Sequence, residues 1–325
     1  MHHYIIRRIL IFIPTLLLVT LAIFFLVSLI PGDIVDVMRT KALDVEVDRA
    51  TVERNLGLDA PLVVQYGRWM GILPRKDGRF KGILQGSLGE SWWHRKTVNE
   101  LLISRWPVTL ELGLLGLIIS QLVALPIGIY SALRQDRLGD YVGRSIAILA
   151  ISIPGFWIAT LVIVFPAMWW GYMPPIVLIR FGEDPLGNLR MFIVPAIVLG
   201  LSIGGMTMRM TRTMMLEVLR QDYIRTAWSK GITERVVVVR HALKNALIPV
   251  ITIIGLQVPI LVGGSVIIEQ VFNLPGMGRL LVDSLMERDH PTIRGITFLF
   301  GIALVVINLL VDLSYAYLDP RVQYK

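Results

Sequence analysis

The sequence contains no cysteine among its 325 residues. This absence excludes disulfide bonds and thiolate metal sites. Charged residues are also scarce, at 17%, whereas 54% of the residues are hydrophobic and the mean hydropathy is +0.66. A chain of this length and apolarity has the composition of a membrane protein and not of a soluble domain.

Charge is absent from six long apolar stretches, none of which contains Asp, Glu, Lys, Arg or His. Their lengths approach or exceed the about 20 residues that a helix needs to cross a bilayer core. Because backbone groups in hydrocarbon must be paired within the segment, we predict an all-α membrane protein with six transmembrane helices, kinked where they contain proline. The predicted spans are residues 9–30, 112–133, 145–170, 191–208, 246–268 and 295–311.

The first stretch lacks the small-x-small pattern of a signal-peptide cleavage site and ends instead in Ser-Leu-Ile-Pro-Gly-Asp at residues 28–33. It is also about twice as long as the apolar core of an ordinary signal peptide. We therefore expect a retained membrane helix here, in preference to a cleaved leader.

Several catalytic and transport signatures are missing as well. The sequence has no G-x-x-x-x-G-K-[ST] phosphate cradle, so we do not expect this chain to hydrolyse ATP or to be an enzyme. The spans contain no paired acids, histidine cluster or activated nucleophile, which argues against an intramembrane hydrolase. They also lack ionisable residues at mid-membrane depth and an internal repeat, which argues against an ion-coupled secondary transporter.

The basic residues that are present are distributed unequally between the two sides of the predicted membrane. Fifteen lie before the first span, in 134–144, in 209–244 and after the last span, whereas the two short loops on the other side hold five. Because Lys and Arg accumulate on the cytoplasmic side, we predict that both termini are cytoplasmic. The long segment 31–106 holds twelve basic and ten acidic residues, and loops of that length are largely exempt from the rule.

This topology divides the chain into three regions. We predict a cytoplasmic tip with the first helix at 1–30, an extracytoplasmic region at 31–106, and a five-helix core at 107–325 that includes a cytoplasmic loop at 209–246. The extracytoplasmic region is expected to carry short helices near 48–55 and 62–70, and it could be a platform for a partner or a lid over the bundle. A further short outer helix is expected at 280–286.

The loop at 209–246 holds eight basic residues, more than any other predicted cytoplasmic segment. Asp222 and Lys230 lie where they suit the dipole of a short helix, and Gly231 can end that helix in the left-handed conformation. Thr233 can then cap a second helix that runs to residue 246. Eight basic residues could bind anionic lipid, but a helix that also presents Trp228 favours a protein partner.

Residues 222–249 resemble the cytoplasmic coupling loop of membrane permeases in ABC importers of the dipeptide, oligopeptide and nickel class. Arg225, Thr226 and Ala227 stand where the general family has Glu-Ala-Ala, and Gly231 is the glycine of that motif. The resemblance extends in order along nearly the whole chain. The matching segments are Arg7-Arg8, residues 30–33, 55–61, 86–91, 107–112, 272–281, 311–312 and 319–321.

The resemblance implies the fold of a type I ABC importer permease in a prokaryotic inner membrane. It also implies a second homologous permease in a heterodimer, two ATP-binding cassette subunits that bind ATP and Mg, and an extracytoplasmic substrate-binding protein. No cofactor is expected on this chain and no nucleic acid partner. The expected cargo is peptides, with nickel chelates or oligosaccharides as alternatives.

The coupling contact with the ATPase is expected to lie on the short helix and the residues that follow it. These residues are Asp222, Tyr223, Ile224, Arg225, Thr226, Ala227, Trp228, Ser229, Lys230, Gly231, Glu234 and Arg235. Signals for the translocation path are weaker, because small and polar residues inside spans more often serve helix packing. The residues considered for the path are Glu111, Ser202, Thr207, Gln257 and Asn308.

Met206, Met210 and Met214 share one helix face and could indicate soft-metal handling, but flexible packing is the favoured interpretation. The five histidines are scattered along the chain, so we predict no metal site.

Overall fold

A computed structural model describes residues 2–31, 34, 37–38, 48–175 and 177–318. Its regular structure is helical, with an isolated bridge between Glu90 and Thr97 and a short 3-10 turn at Ile83–Gln85. The helices are α1 (His2–Ser28), α2 (Arg49–Leu56), α3 (Leu62–Met70), α4 (Val98–Leu133), α5 (Leu138–Ser152), α6 (Gly155–Trp170), α7 (Pro185–Leu219), α8 (Asp222–Ser229), α9 (Glu234–Val236), α10 (Lys244–Val271), α11 (Met277–Glu287) and α12 (His290–Leu318), with a π-helix at Val237–Leu243.

Five helical segments of the described residues are long and apolar enough to cross a membrane, and the bent pair α5 and α6 can supply a sixth. The prediction of an all-α protein with about six spans is therefore confirmed. The five segments are Leu10–Ser28, Val98–Leu133, Pro185–Leu219, Glu234–Pro259 and His290–Leu310.

The third predicted span is wrong as a single helix over 145–170. The structure has α5 and α6 instead, bent by 94° at the break between them. Ile153 is extended, with φ −88° and ψ 123°, and Pro154 has ψ 130°. A residue before proline avoids the helical region, and proline has no N–H to continue the helix.

Two other predicted spans are too short. The second span was placed at 112–133, but α4 begins at Val98, so Glu111 lies inside the helix and not at its outer end. The fourth was placed at 191–208, but α7 runs from Pro185 to Leu219. Asp184 caps α7 by accepting hydrogen bonds from the backbone N–H groups of Leu186 and Gly187.

The chain forms two compact units. The first contains Val108–Pro275 and the last helix from Ile307 onward, and its core includes Leu112, Phe192 and Phe272. In this unit α4 and α7 approach closely, since a Cβ placed on Gly200 would lie 2.6 Å from the backbone oxygen of Gly116. Small residues permit such close packing of membrane helices.

The second unit contains His2–Pro107 and Gly276–Val306. Phe24 of α1, Trp69 of α3 and Phe298 of α12 form an aromatic cluster in which neighbouring ring centroids lie 5.8 to 6.0 Å apart. The buried Asp289 carboxylate accepts hydrogen bonds from the Ser91 hydroxyl at 2.5 Å and the Thr292 hydroxyl at 2.7 Å. These contacts fasten the segment before α4 to the start of α12.

The short helices expected in this unit are present. The predictions near 48–55 and 62–70 correspond to α2 and α3, which end at left-handed Gly57 and Gly71, and the outer helix expected at 280–286 corresponds to α11. Lys76 lies 2.9 Å from Asp59, and this hydrogen bond lowers the pKa of the exposed Asp59 carboxyl. The assignment of residues 31–106 to an extracytoplasmic region and of residues 107–325 to a five-helix core stays a prediction.

Candidate coupling surface and polar residues of the spans

The charged loop folds as a short helix that ends at a glycine. Helix α8 spans Asp222–Ser229, Lys230 follows at its C-cap, and Gly231 has φ +73°. This conformation is strained for residues that have a Cβ atom. The local structure predicted for residues 222–231 is therefore confirmed, apart from Lys230, which caps the helix instead of belonging to it.

One side of α8 is buried within the chain itself. Ile224 is completely buried and Ala227 is 7% exposed, and both belong to an apolar cluster with Met215, Val237 and Ala246. This cluster, which we call the anchoring cluster, comprises buried residues of α4, α7, α8, the π-helix and α10. The short helix is therefore held against α4, α7 and α10.

The other side chains of α8 are exposed and include two aromatic rings. Tyr223 and Trp228 each keep 44% of their surface accessible. The Tyr223 hydroxyl accepts a hydrogen bond of 2.9 Å from the Asn245 amide, which fixes this ring relative to α10. Arg225 is exposed and forms an ion pair of 3.6 Å only with Asp222 of the same helix among the described residues.

Three further polar residues of the predicted coupling set are exposed. Thr226 and Ser229 donate their hydroxyls to the carbonyl oxygens of Asp222 and Arg225, one turn earlier in α8. Lys230 is exposed just after the helix. The exposed residues of α8 include two aromatic rings and a guanidinium, and residues of these types are enriched in protein interfaces.

The segment after Gly231 differs from its prediction. Thr233 occupies the N-cap position of α9 without a side-chain cap, and Glu234 and Arg235 are exposed. The predicted α-helix to residue 246 is wrong at Val237–Leu243, which forms a π-helix before α10 begins.

The burial pattern of the π-helix accounts for its geometry. The buried residues of this helix are Val237, Val238 and Ala242. A π-helix has a wider turn, of about 4.4 residues, so these three side chains point outward within an arc of about 80° around the helix axis. In an α-helix the same three side chains would spread over about 140°. All three side chains can therefore face the anchoring cluster.

Sequence reasoning missed a buried ion pair at the base of this loop. The completely buried Asp140 carboxylate accepts hydrogen bonds from Arg212 Nε at 2.7 Å and Nη2 at 2.8 Å, and from the Ser131 hydroxyl at 2.6 Å. These contacts join the start of α5 to the ends of α4 and α7. Asp140 and Arg212 are far apart in the chain, so no local pattern indicates that they meet.

Two of the residues considered for the translocation path meet in the structure. The Gln257 amide donates to the Thr207 hydroxyl at 3.0 Å and to the Ile203 carbonyl at 3.2 Å, and both Thr207 and Gln257 are buried. The pair links α7 to α10. Their burial favours a packing role in this conformation.

The other three path residues lie apart from this pair. Ser202 donates its hydroxyl to the Val198 carbonyl at 2.8 Å, Glu111 is half-buried beside Asn188, and Asn308 is exposed on α12. A second carboxylate that sequence reasoning missed is Glu269, which is completely buried and accepts a hydrogen bond of 2.7 Å from Thr109. The sequence does offer one indication of Glu269, because this carboxylate directly follows the predicted fifth span, which ends at residue 268.

These features define a class: a helical membrane protein of several spans that presents a short, internally anchored helix outside the bundle. Comparison with known proteins identifies the family within this class. Residues 124–324 match the family described as binding-protein-dependent transport system inner membrane component, and residues 1–113 match its N-terminal family. The chain belongs to this family and is a permease subunit of an ABC importer.

Individual relatives cover almost the entire chain. A protein of Brucella suis biovar 1 (strain 1330), named as a peptide transport system permease, is 41% identical over 321 residues, which are 98% of each chain. The glutathione transport system permease protein GsiC of Salmonella typhimurium (strain LT2) is 38% identical over 325 residues, which are 100% of each chain.

A solved structure supports the fold. The crystal structure of an amino acid ABC transporter with histidines has a TM-score of 0.51 with 17% identity, over 67% of this chain and 94% of the other. The chain is thus a multi-pass inner-membrane permease subunit and not an enzyme. Membership of the family also means that it works with ATPase and substrate-binding proteins.

Proposed function

We propose that this permease imports peptides. The support comes from relatives named for peptide transport and for transport of glutathione, which is a tripeptide. In this proposal the cargo is delivered by an extracytoplasmic binding protein and passes through the bundle. The test is uptake into proteoliposomes that contain the complete transporter and its binding protein. Labelled peptides should accumulate in an ATP-dependent manner, whereas nickel chelates and oligosaccharides should not accumulate.

The proposed assembly is a heterodimer with a second, homologous permease and two ATP-binding cassette subunits, which hold the ATP and Mg. Both termini and α8 lie in the cytoplasm, and residues 48–91 lie outside. The excess of Lys and Arg in the loops that include α8 supports this orientation. No nucleotide site is proposed on this chain.

The coupling proposal rests on the two-sided character of α8. Its exposed face, with Tyr223, Arg225 and Trp228, docks in a cleft of the ATPase, while Ile224 and Ala227 hold its other face in the anchoring cluster. When ATP binding brings the ATPase subunits together, α8 moves as a rigid lever. Contiguous packing through the anchoring cluster then biases α4, α7 and α10 between inward-open and outward-open states.

The translocation path is proposed to involve the polar residues of the spans. Glu111 is half-buried and Asn308 is exposed in this chain, so both are accessible to a cavity shared with the second permease. Thr207 and Gln257 are hydrogen-bonded to each other, and the Ser202 hydroxyl is hydrogen-bonded to a carbonyl oxygen of its own helix. The last three residues are proposed to shape the path by packing and to contact cargo only if their helices separate.

The coupling proposal is tested by Trp228→Ala, measured by binding of the ATPase subunits and by cargo-stimulated ATP hydrolysis in the reconstituted complex. Truncation of an aromatic interface anchor costs about 2 kcal/mol or more, equivalent to about 30-fold weaker association. Tyr141→Ala is the matched control, because Tyr141 is also an aromatic residue with about half of its surface exposed, on α5. Equal effects of the two substitutions, or wild-type hydrolysis in Trp228→Ala, contradict coupling through α8.

A further inference from the structure

A cavity of about 590 Å³ lies in the unit formed by residues 2–107 and 276–306. Its volume falls within the range of about 300 to 1,000 Å³ that is typical of small-molecule sites. The walls come from residues between Asn55 and Trp92 and from the first turns of α12. They combine the rings of Trp69 and Trp92 with the guanidinium groups of Arg68 and Arg294.

Three residues that line this cavity carry buried donors without acceptors. Arg294 is 8% exposed, its Nη2 donates to the Ser28 hydroxyl at 2.9 Å, and its guanidinium lies 4.0 Å above the Phe24 ring. In the part of the chain that the structure describes, Arg294 Nε, Arg68 Nε and Nη1, and Trp69 Nε1 are buried without an acceptor. Buried polar groups are almost always hydrogen-bonded, so this group of donors indicates a missing acceptor.

The remaining charges of the cavity are largely occupied by other partners. Lys76 pairs with Asp59 at 2.9 Å, and Glu90 pairs with Lys81 at 3.2 Å. Among the described residues, no acid lies within ion-pair distance of Arg68 or Arg294. Among the described lining residues, the guanidinium groups of Arg68, Arg75 and Arg294 and the carboxylate of Asp77 are outside ion pairs, so the uncompensated charge is positive on balance. A guanidinium is well suited to a carboxylate because its donors match the two oxygens.

We propose that this cavity binds the carboxylate of a small peptide, with Arg68 and Arg294 as the anion-binding residues. The tryptophan rings then provide apolar walls for the side chains of the peptide. The choice of peptide as ligand rests on the proposed function. A soluble ligand is favoured over a lipid headgroup because most of the wall comes from the polar segment between α1 and α4, outside the candidate spans.

The proposal is tested with the full chain in nanodiscs of phosphatidylcholine, titrated calorimetrically with the tripeptide Ala-Phe-Ala and with its C-terminal amide. The free acid is expected to bind at least about tenfold more tightly than the amide, because only the carboxylate can form an ion pair with the guanidinium, with donor and acceptor both charged. Arg294→Gln and Arg68→Gln should each weaken binding of the acid by about 10- to 100-fold. Arg79→Gln is the matched control, since Arg79 is exposed in the same segment and does not line the cavity.

Three results overturn the proposal: no binding of the acid, equal binding of acid and amide, or loss of acid binding when one third of the lipid is phosphatidylglycerol. The acid-to-amide comparison uses the unmodified protein and is independent of any folding defect in the variants. Uptake of the same tripeptide by the complete wild-type transporter separates the two proposals. Uptake without binding to the isolated permease refutes this site alone, whereas binding without uptake refutes peptide import and retains an anion site.

Discussion

At the scale of single residues, the Asp140 carboxylate is tightly held through Arg212, at the start of the charged loop 209–246. It is completely buried and receives two hydrogen bonds from Arg212 and one each from the Ser131 hydroxyl and the Asp136 N–H. Burial of a carboxylate is costly unless it is paired and hydrogen-bonded, and removal of one partner leaves an uncompensated charge. Arg144 lies 3.7 Å away and is too distant to replace the bonds from Arg212.

We therefore expect Arg212→Met to destabilise the protein by about 3 to 5 kcal/mol. The measurement is the thermal unfolding midpoint of the purified chain in detergent. Arg209→Met is the control on the same helix, because Arg209 is exposed and makes only a 3.6 Å contact with the Met206 sulfur. The control should change stability by less than about 0.5 kcal/mol. A midpoint for Arg212→Met equal to that of the control would show that the ion pair does not stabilise the fold.

At the scale of elements, close approach between helices is decided by a few glycines. The Cβ position of Gly200 on α7 lies 2.6 Å from the Gly116 carbonyl oxygen and 3.1 Å from the Ser120 nitrogen of α4. Both neighbours are backbone atoms and cannot move without shifting a helix. Gly263 on α10 has nothing within 4 Å of its Cβ position among the described residues.

Gly200→Ala should consequently force α4 and α7 apart and cost about 1 to 3 kcal/mol, as overpacking does. Gly263→Ala is the matched substitution and should be neutral or stabilising by up to about 1 kcal/mol, because alanine favours a helix interior more than glycine does. Thermal unfolding of the two purified variants distinguishes them. If both substitutions stabilise the chain, the close approach of α4 and α7 is not a determinant of stability.

The same elements show how far the sequence predicts the structure. Continuous apolar stretches predicted the membrane helices because hydrocarbon forces every backbone group to pair locally. They did not reveal that α4 and α7 extend well beyond the apolar stretch, since these extensions make contacts with remote residues, with Glu269 for α4 and with Asp140 for α7.

The charged loop 209–246 and the prolines also combine features that the sequence predicts with features that depend on tertiary packing. Gly231 correctly indicated the end of α8, whereas the π-helix depends on packing against residues that are distant in the chain. Pro154 breaks the third span, yet Pro195 and Pro259 lie inside α7 and α10. Tertiary packing decides which proline is tolerated within a helix, and a single sequence does not contain that information.

At the scale of the whole molecule, the distribution of charge predicts which side of the membrane each segment faces. The loops with excess Lys and Arg include α8 and the residues after it, whereas the segment before α4 has nearly balanced charge. The chain also has no native cysteine, so any cysteine introduced is the only thiol in it. The orientation of each segment in the membrane can therefore be measured by labelling a single cysteine introduced at an exposed position.

Arg79→Cys should react with a membrane-impermeant maleimide in intact spheroplasts, because Arg79 lies in the predicted outer segment. Arg235→Cys should react only after the membrane is permeabilised, because Arg235 follows α8 on the predicted cytoplasmic side. Both residues are exposed in the structure, which makes the positions comparable. Labelling of Arg235→Cys in intact spheroplasts would reverse the proposed topology and would exclude contact between α8 and a cytoplasmic ATPase.

The division of α8 into a buried and an exposed side also bears on how such permeases exchange partners during evolution. Ile224 and Ala227 belong to the anchoring cluster, whereas Tyr223, Arg225 and Trp228 are exposed and lie outside it. If α8 docks on the ATPase as proposed, substitutions on its exposed side can change which ATPase subunit the permease binds without disturbing the membrane helices.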